Sequence, residues 1–310
     1  MRIAAEGKIN DHILISGHTI YPGYVIRGSR RSLMIEAGLN IIGPCYLKQT
    51  AAFLGGAENL DALAVTHGHY DHIGALPYLK RKIPALELLA HESTGKLLEN
   101  EKITGVMNFL SDQTSRYFGG MDLEKAAADE IRIGAVKLSD PLCEGDAIDL
   151  GNCSCEVIST PGHTRDHLSF FLRETGILFP GEALGNAIME REDLVKVEFL
   201  TSFRDYVKSI EKLMAIRPLV KVIALSHLYF YTGEDVPRLM DMALRDANAY
   251  RALIESYLDR EGGDIERATA TMVRVEYDEK KAVYQERNAY VTNLAAQVRA
   301  VAALHSERPQ

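Results

Sequence analysis

The chain has 310 residues and a formal net charge of −8 at pH 7, from 35 Lys and Arg against 43 Asp and Glu. Hydrophobic residues make up 46% of it and charged residues 25%, which is typical of a globular chain with a sizeable core. The acidic balance disfavours nucleic acid as a partner, because nucleic-acid binding depends on clustered cations. No stretch approaches the ~20 apolar residues that span a bilayer, and polar residues interrupt the N-terminal stretch 1–17. The sequence therefore predicts a cytoplasmic protein that does not bind membranes.

The first 70 residues read as short strands separated by Gly and Pro, in HILISG, YVIRG and SLMIEAG. A short helix follows in CYLKQTAAFLGG, where Gly55 is expected to take the left-handed conformation that ends helices. LDALAVTH predicts a buried strand, and HIGALPYLKRK predicts a helix in which Pro77 must lie early. Residues 92–130 are predominantly helical in pattern. They interrupt a strand-rich chain, which indicates an insertion.

Strands are predicted again from 131 to 181, in IRIGAVKL, CSCEVIST, HLSFFLRE and GILFPG. SFRDYVKSIEKLMAIRP predicts an amphipathic helix capped by Ser202, and LVKVIALSH predicts a buried strand that ends at His227. From Pro237 onward only helical patterns follow, the last of them at about 283–304.

Three histidines and one aspartate fall within six consecutive positions of VTHGHYDHIG, residues 65–74. They are His67, His69, Asp71 and His72. Imidazole and carboxylate are the ligands that zinc, iron and manganese accept. The strand end can present the first two side chains to one side, and the helical turn that follows brings the other two to the same place. The alternative is a solvated polar loop, which would need no distant partners.

Three further candidate ligands each follow an apolar strand in the sequence. His163 lies in STPGHTRDHLSF, Glu182 in LFPGEALG and His227 in IALSHLYF. Polar side chains at the ends of several strands are the means by which an α/β scaffold assembles a metal site at one edge. The cluster at residues 67–72 thus has possible distant partners.

The ordered set of H-x-H-x-D-H, P-G-H-[ST], a Gly-acid turn and a final His resembles the metallo-β-lactamase-fold hydrolase superfamily over about residues 10–235. The resemblance implies an α/β (α+β) fold of the αββα sandwich type, with two mixed sheets packed face to face between helices. It implies a catalytic domain over 1–235 with the helical insertion at about 92–130. A C-terminal helical extension, 236–310, would pack on or cap the active site. The layout is also similar to glyoxalase-II-like and quinolone-signal response thioesterases.

The resemblance further implies two divalent metal ions per chain, zinc or iron, with manganese possible. Two triplets would bind them, namely His67, His69 and His163 for one metal and Asp71, His72 and His227 for the other. Glu182 stands where the family usually has a bridging aspartate. Because its side chain is one methylene longer, three arrangements are open: it bridges both metals at a changed angle, binds one metal only or swings aside.

Residues around these ligands have expected supporting roles. Glu36, in MIEAG, is expected to orient a metal-binding imidazole through a hydrogen bond, and His167 is expected to have a similar or purely structural role. Tyr229 either packs in the core or lines the substrate pocket, where its phenol would donate to a developing oxyanion. Asp71, His227 and Tyr229 are the residues expected to take part in catalysis.

The implied function is a dinuclear metal-dependent hydrolase that uses a metal-bound hydroxide on a small ester-type substrate: a thioester, a lactone or a carboxylic ester. Asp71 would hold and orient the hydroxide. The alternatives are a phosphodiesterase or nuclease of the same superfamily, an iron-dependent oxygenase-type redox enzyme, and a non-catalytic metal-containing regulator. A homodimer formed through the C-terminal helices is a further expectation.

Overall fold

The computed structural model describes residues 1–3, 5–118 and 126–306. It divides into two compact units: unit 1 is Met1–Ser159, Asp166–Gly181 and Leu219–Gly233, and unit 2 is Thr160–Arg165, Glu182–Pro218 and Glu234–Gln310. Parts of the predicted insertion (119–125) and of the predicted extension (307–310) lie outside the described residues. The domain boundary at residue 235, and the packing of the extension on the active site, stay predictions.

The strands are, in chain order, β1 (Arg2–Ile3), β2 (Gly7–Lys8), β3 (Ile13–His18), β4 (Tyr21–Arg27), β5 (Ser32–Ile35), β6 (Ala62–Ala64), β7 (Glu87–Leu89), β8 (Ala147–Asp149), β9 (Ser154–Ser159), β10 (Leu168–Leu172), β11 (Ile177–Phe179), β12 (Asn186–Ile188), β13 (Arg191–Lys196), β14 (Val222–Ala224) and β15 (Phe230–Thr232). The α-helices are α1 (Gly43–Leu54), α2 (Tyr70–Ile73), α3 (Leu76–Lys82), α4 (Glu92–Leu98), α5 (Glu101–Ser115), α6 (Phe203–Ala215), α7 (Asp235–Arg260), α8 (Ile265–Met272) and α9 (Arg287–Ser306). A 3₁₀ turn, Arg116–Phe118, extends α5, and a π-helical segment, Val273–Glu279, follows α8. Within the described ranges, no helix has both the length and the apolar character that crossing a bilayer requires.

Unit 1 contains two mixed sheets. One has the strand order β2-β3-β4-β5-β6-β7 and the other the order β1-β15-β14-β11-β10-β9-β8. The parallel pairs are β5 with β6, β6 with β7, and β11 with β14. Buried side chains of both sheets share one apolar core, for example Ile15 and Ile35 from the first sheet and Phe170 and Phe179 from the second. The predicted α/β architecture, with two mixed sheets face to face, is confirmed.

A second apolar core in unit 1 lies on the other face of the first sheet. Strand residues such as Val25 and Leu63 pack there with Tyr46 of α1 and Leu79 of α3. The helix α1 ends as predicted, because Gly55 adopts the left-handed conformation with φ 84° and its N–H donates to the carbonyl of Ala51. Pro77 lies in the first turn of α3, where a proline ring is tolerated.

The strand predicted at 131–138 is wrong, since these residues form no regular element. The reason is the side chain of Asn108 on α5. Its amide donates to the carbonyl of Ile133 at 2.7 Å, and its oxygen accepts from the N–H of Ile133 at 3.0 Å. The backbone groups that a neighbouring strand would pair are thus satisfied by a helix side chain. The apolar residues Ile133 and Leu138 are buried in the second core instead.

Unit 2 contains the hairpin of β12 and β13 together with α6 to α9. Ser202 caps α6 as predicted, since its hydroxyl accepts from the N–H of Asp205 at 3.1 Å. The last helix begins at Arg287, four residues later than the predicted 283. The short helix α8 is capped by Asp264.

Replacing Gly74 with alanine is expected to lower the free energy of unfolding by about 2–3 kcal/mol. Gly74 follows α2, and an added Cβ would lie 2.5 Å from the backbone nitrogen of Asn40 and 2.6 Å from the carbonyl oxygen of Gly38. Backbone atoms cannot rotate away, so α2 would have to shift. Chemical denaturation of the variant measures the loss.

Gly105→Ala is the matched control for this prediction. It lies in the middle of α5 with no heavy atom within 4 Å of the added Cβ, and the change should stabilise the protein by about 0.5–1 kcal/mol. Equal unfolding free energies for the two variants would show that a Cβ at residue 74 does not clash with the backbone of Gly38 and Asn40.

Candidate metal centre

The first candidate ligands follow the strand β6. The chain runs from Ala64 through Thr66 to His67, whose side chain is completely buried. The hydroxyl of Thr66 lies 3.0 Å from Nδ1 of His67, and Nε2 of His67 lies 2.9 Å from Nδ1 of His69. The two imidazoles, predicted to face one side of the strand end, therefore meet through their ring nitrogens.

A second group of candidate ligands comes from α2 and from the turn after β14. Asp71, His72 and His227 each offer one ligand atom, and these atoms lie within 4.8 Å of one another. Nε2 of His227 is 3.9 Å from Oδ2 of Asp71, and the rings of His72 and His227 meet edge to face at 5.1 Å. The ring of His72 also lies 4.1 Å from that of His67. Unit 1 thus gathers its five predicted ligands in one place.

One buried carboxylate connects these segments. Glu36 follows β5, and its Oε1 accepts from the hydroxyl of Thr66 at 2.6 Å and from that of Ser226 at 3.1 Å. Its Oε2 lies 3.0 Å from Nδ1 of His72. The predicted hydrogen bond between Glu36 and an imidazole is therefore confirmed. The same side chain also holds residues next to two other predicted ligands, His67 and His227.

The hydrogen bonds decide which ring nitrogen carries the lone pair. Nδ1 of His227 is 2.9 Å from the carbonyl oxygen of Ile20, which can only accept, so Nδ1 carries the proton. The Glu36 carboxylate likewise accepts from Nδ1 of His72. When such a ring carries no second proton, its lone pair lies on Nε2. Imidazoles held at one nitrogen by a carbonyl or carboxylate are the usual form of histidine metal ligands. With the Asp71 carboxylate, this donor set fits a divalent ion such as zinc.

Unit 2 holds the other two predicted ligands, and they form a pair. Nε2 of His163 is 2.6 Å from Oε2 of Glu182, and both side chains are buried. Burial by itself lowers the pKa of His163, but the charge of Glu182 and its hydrogen bond outweigh this effect and raise that pKa above its ordinary value. Nδ1 of His163 donates to the carbonyl of Glu198, so Nε2 is the ring nitrogen that faces Glu182.

Asp166 is a supporting residue that the sequence pattern did not single out. Its buried Oδ2 accepts from the N–H of Gly68 at 3.0 Å and from the hydroxyl of Thr94 at 2.6 Å. It therefore holds the backbone between His67 and His69 and ties it to α4. The available signal was an acidic residue in GHTRDH, close in sequence to a predicted ligand.

The other predicted residues of unit 1 have ordinary packing contacts. His167 is buried, with its ring 5.1 Å from that of His67, so it lies close enough for either role expected of it. The guanidinium of Arg2 lies 4.7 Å from the ring centre of Tyr229, whose ring meets Tyr231 edge to face at 6.0 Å. The catalytic role of Tyr229 stays a prediction.

Aromatic rings lie beside His227 in unit 1. The ring of Tyr21 meets His227 edge to face at 5.2 Å, and Phe118 lies 5.9 Å from Tyr21 and 5.3 Å from His18. We call Tyr21, Phe118 and His18 the aromatic wall. Because Phe118 ends the turn after α5, the predicted insertion contributes directly to this side of the cluster.

A family model described as the metallo-beta-lactamase superfamily matches residues 11–227. The chain therefore belongs to this superfamily of metallohydrolases, as the motifs predicted.

Two similar proteins and one solved structure illustrate the relationship. The acyl-coenzyme A thioesterase MBLAC2 of Gallus gallus is 30% identical over 224 residues, which cover 70% of this chain and 75% of the relative. The hydroxyacylglutathione hydrolase GloC of Haemophilus influenzae is 27% identical over 178 residues, which cover 57% of this chain and 73% of that protein. The structure of TTHA1429, a metallo-beta-lactamase family protein from Thermus thermophilus, matches with a TM-score of 0.57 at 17% identity. It covers 90% of this chain and 87% of its own, and at this identity it shows the fold alone.

Proposed function

We propose that this chain is a dinuclear metal-dependent hydrolase that cleaves small thioesters. The observation that carries the proposal is the cluster of Asp71, His72 and His227, whose ligand atoms converge within 4.8 Å in unit 1. The thioesterase and hydroxyacylglutathione hydrolase among the similar proteins support the thioester class.

The ligand assignment follows the family resemblance. The proposed ligands are His67, His69 and His163 for one metal, Asp71, His72 and His227 for the other, and Glu182 as a further carboxylate ligand. Divalent ions bound in such sites lower the pKa of a bound water to about 7 and polarise the substrate carbonyl.

The protein's own groups position the reaction. The Asp71 side chain, 20% exposed, is accessible enough to accept a hydrogen bond from the attacking water and orient it. The carbonyl of Ile20 and the carboxylate of Glu36 fix the orientation of His227 and His72. Tyr21, a partly exposed ring of the aromatic wall, lies beside His227 and would pack against an acyl group.

The charge of the reacting group and the cluster's surroundings favour a thioester over a phosphodiester. A phosphodiester places its negative charge on the reacting group itself, close to Asp71, whereas a thioester group is neutral. The aromatic wall, by contrast, suits the apolar part of an acyl thioester. A nuclease or phosphodiesterase activity is therefore the weaker candidate and serves as an outcome of the test.

The test combines metal analysis with a substrate panel. The purified chain is loaded with zinc, iron or manganese, and its metal content is measured by mass spectrometry. Hydrolysis is followed by free thiol release for thioesters, by acid release for the lactone and by p-nitrophenolate absorbance for the phosphodiester. The panel contains acyl-coenzyme A thioesters of short, medium and long chains, S-lactoylglutathione, a lactone and bis-p-nitrophenyl phosphate. We expect the highest kcat/KM on a thioester. A phosphodiester turned over faster than every thioester, or thioester hydrolysis that survives complete removal of metal, would contradict the proposal. Binding of metal with no turnover of any substrate would favour a regulator.

A further inference from the structure

The carboxylate of Glu182 is held from two sides by different partners within unit 2. Its Oε2 lies 2.6 Å from Nε2 of His163, and its Oε1 accepts from the side-chain amide of Asn186 at 2.6 Å. Both Glu182 and Asn186 are buried, at 6% and 5% exposure. The two oxygens of the carboxylate are therefore not equivalent.

The local backbone explains why residue 186 is next to this carboxylate. The carbonyl of Glu182 accepts from the N–H of Gly185 at 3.0 Å and from the hydroxyl of Tyr206 at 3.2 Å. Gly185 has φ 73°, a left-handed conformation that suits glycine and closes the turn. Asn186 then begins β12, four residues after Glu182.

The hydrogen bonds of Asn186 show what its polar group does. Its Nδ2 bonds Glu182, whereas its buried Oδ1 has no hydrogen-bond partner in the part of the chain that the structure describes. A buried amide with an unmatched oxygen is costly compared with an apolar side chain. The contact with Glu182 is therefore the interaction that accounts for an amide at this position.

We propose that Asn186 is a positioning residue for the metal centre. It holds Oε1 of Glu182 and presents Oε2 on the side of His163, so that Glu182 contributes a single oxygen. This inference rests on the proposed function, in which His163 and Glu182 are metal ligands. It also selects among the arrangements left open by a glutamate in place of aspartate, because a carboxylate held in this way does not swing aside.

Asn186→Leu tests the inference, since leucine is of similar size but cannot donate. Zinc affinity is measured by competition with a chelator, and the cobalt-loaded protein is compared by its visible absorption spectrum. We expect zinc to bind about 10–100-fold more weakly and the cobalt spectrum to change, because removal of a group that orients a ligand typically has this effect. Asn186→Ala, which also removes the amide donor, should give the same loss if Asn186→Leu does not fold.

A double-mutant cycle with Glu182→Asp separates positioning from a structural role. The shortened carboxylate no longer reaches the amide, so Asn186→Leu should have almost no further effect on zinc affinity in that background. The control is Asn108→Leu, which removes another buried amide that bonds the backbone of Thr104 and Ile133. It should lower stability and leave zinc affinity unchanged.

The outcomes distinguish the two proposals. If wild-type protein binds zinc and hydrolyses thioesters but Asn186→Leu binds zinc equally well, the positioning role is wrong and the proposed function stands. The positioning role is also wrong if Asn186→Leu lowers zinc affinity equally in the wild-type and Glu182→Asp proteins. If wild-type protein binds no divalent metal, the proposed function itself is wrong.

Discussion

His69→Ala is expected to lose bound metal and hydrolytic activity together. The backbone carbonyl of His69 accepts from the N–H groups of His72 and Ile73, and alanine keeps both bonds. The substitution thus removes the imidazole, whose Nδ1 lies 2.9 Å from Nε2 of His67, and leaves the start of α2 in place. A metal contributes several kcal/mol to such a transition state, so kcat/KM should fall by about 1,000-fold or more. Metal content after dialysis and thioester hydrolysis are measured on the same sample.

His12→Ala is the control for this prediction. His12 is an exposed histidine, with Nδ1 3.3 Å from the carbonyl oxygen of Arg27. Its loss should change neither metal content nor activity. A His69→Ala variant that contains no metal and still hydrolyses thioesters at the wild-type rate would rule out the metal mechanism.

The candidate metal cluster of unit 1 could be predicted from sequence because local rules place its residues. His67 and His69 lie two residues apart in the segment that follows β6, and the helical turn of α2 brings Asp71 and His72 to the same strand end. His227 was recognisable as a polar residue directly after an apolar strand. Each of these positions follows from the pattern of its own short segment.

The supporting contacts could not be predicted in this way because they join distant segments. Asp166 meets Gly68 across 98 positions of the sequence, and Ser226 meets Glu36 across 190. Nothing in either local pattern indicates which partner a buried carboxylate will find. The strand predicted at 131–138 is wrong for the same reason: a distant side chain, Asn108 of α5, forms the hydrogen bonds to the backbone of Ile133. The assignment of Tyr229 to catalysis depends on where its phenol points when substrate is bound, which a sequence pattern does not encode.

Glu36 combines an unfavourable backbone conformation with hydrogen bonds from its side chain to distant residues. It has φ 74°, a left-handed conformation that costs a non-glycine residue roughly 1–2 kcal/mol. Its carboxylate is buried and accepts three hydrogen bonds, from Thr66, Ser226 and His72. Strained backbone at such a position is typical of functional sites. The hydrogen bonds of its side chain thus explain why residue 36 is a glutamate, since its backbone conformation would favour glycine.

Glu36→Gln is expected to weaken metal binding by about 10–100-fold while the fold is retained. A glutamine has one acceptor oxygen, so it cannot accept on both sides as the carboxylate does. If its NH₂ faces His72, the proton of that ring must move to Nε2, which removes the lone pair needed for the metal. If its NH₂ faces the hydroxyls of Thr66 and Ser226, both hydroxyls must rotate so that they accept a hydrogen bond. The hydroxyl of Thr66, beside His67, then no longer donates to residue 36. Either arrangement also costs about 1–3 kcal/mol of stability through mismatched buried groups.

Ser226→Ala is the matched control, because it removes one of the three hydrogen bonds and keeps the carboxylate. It should weaken metal binding far less than Glu36→Gln, since His72 and Thr66 retain their partner. Nitrogen NMR of the histidine rings, recorded on both variants, reports which ring nitrogen carries the proton. Equal metal affinity for Glu36→Gln and wild type would mean that the ring orientation of His72 does not depend on this carboxylate. A proton shifted to Nε2 of His72 in Glu36→Gln, together with weaker binding, would instead show that Glu36 acts by selecting the tautomer and not only by filling space.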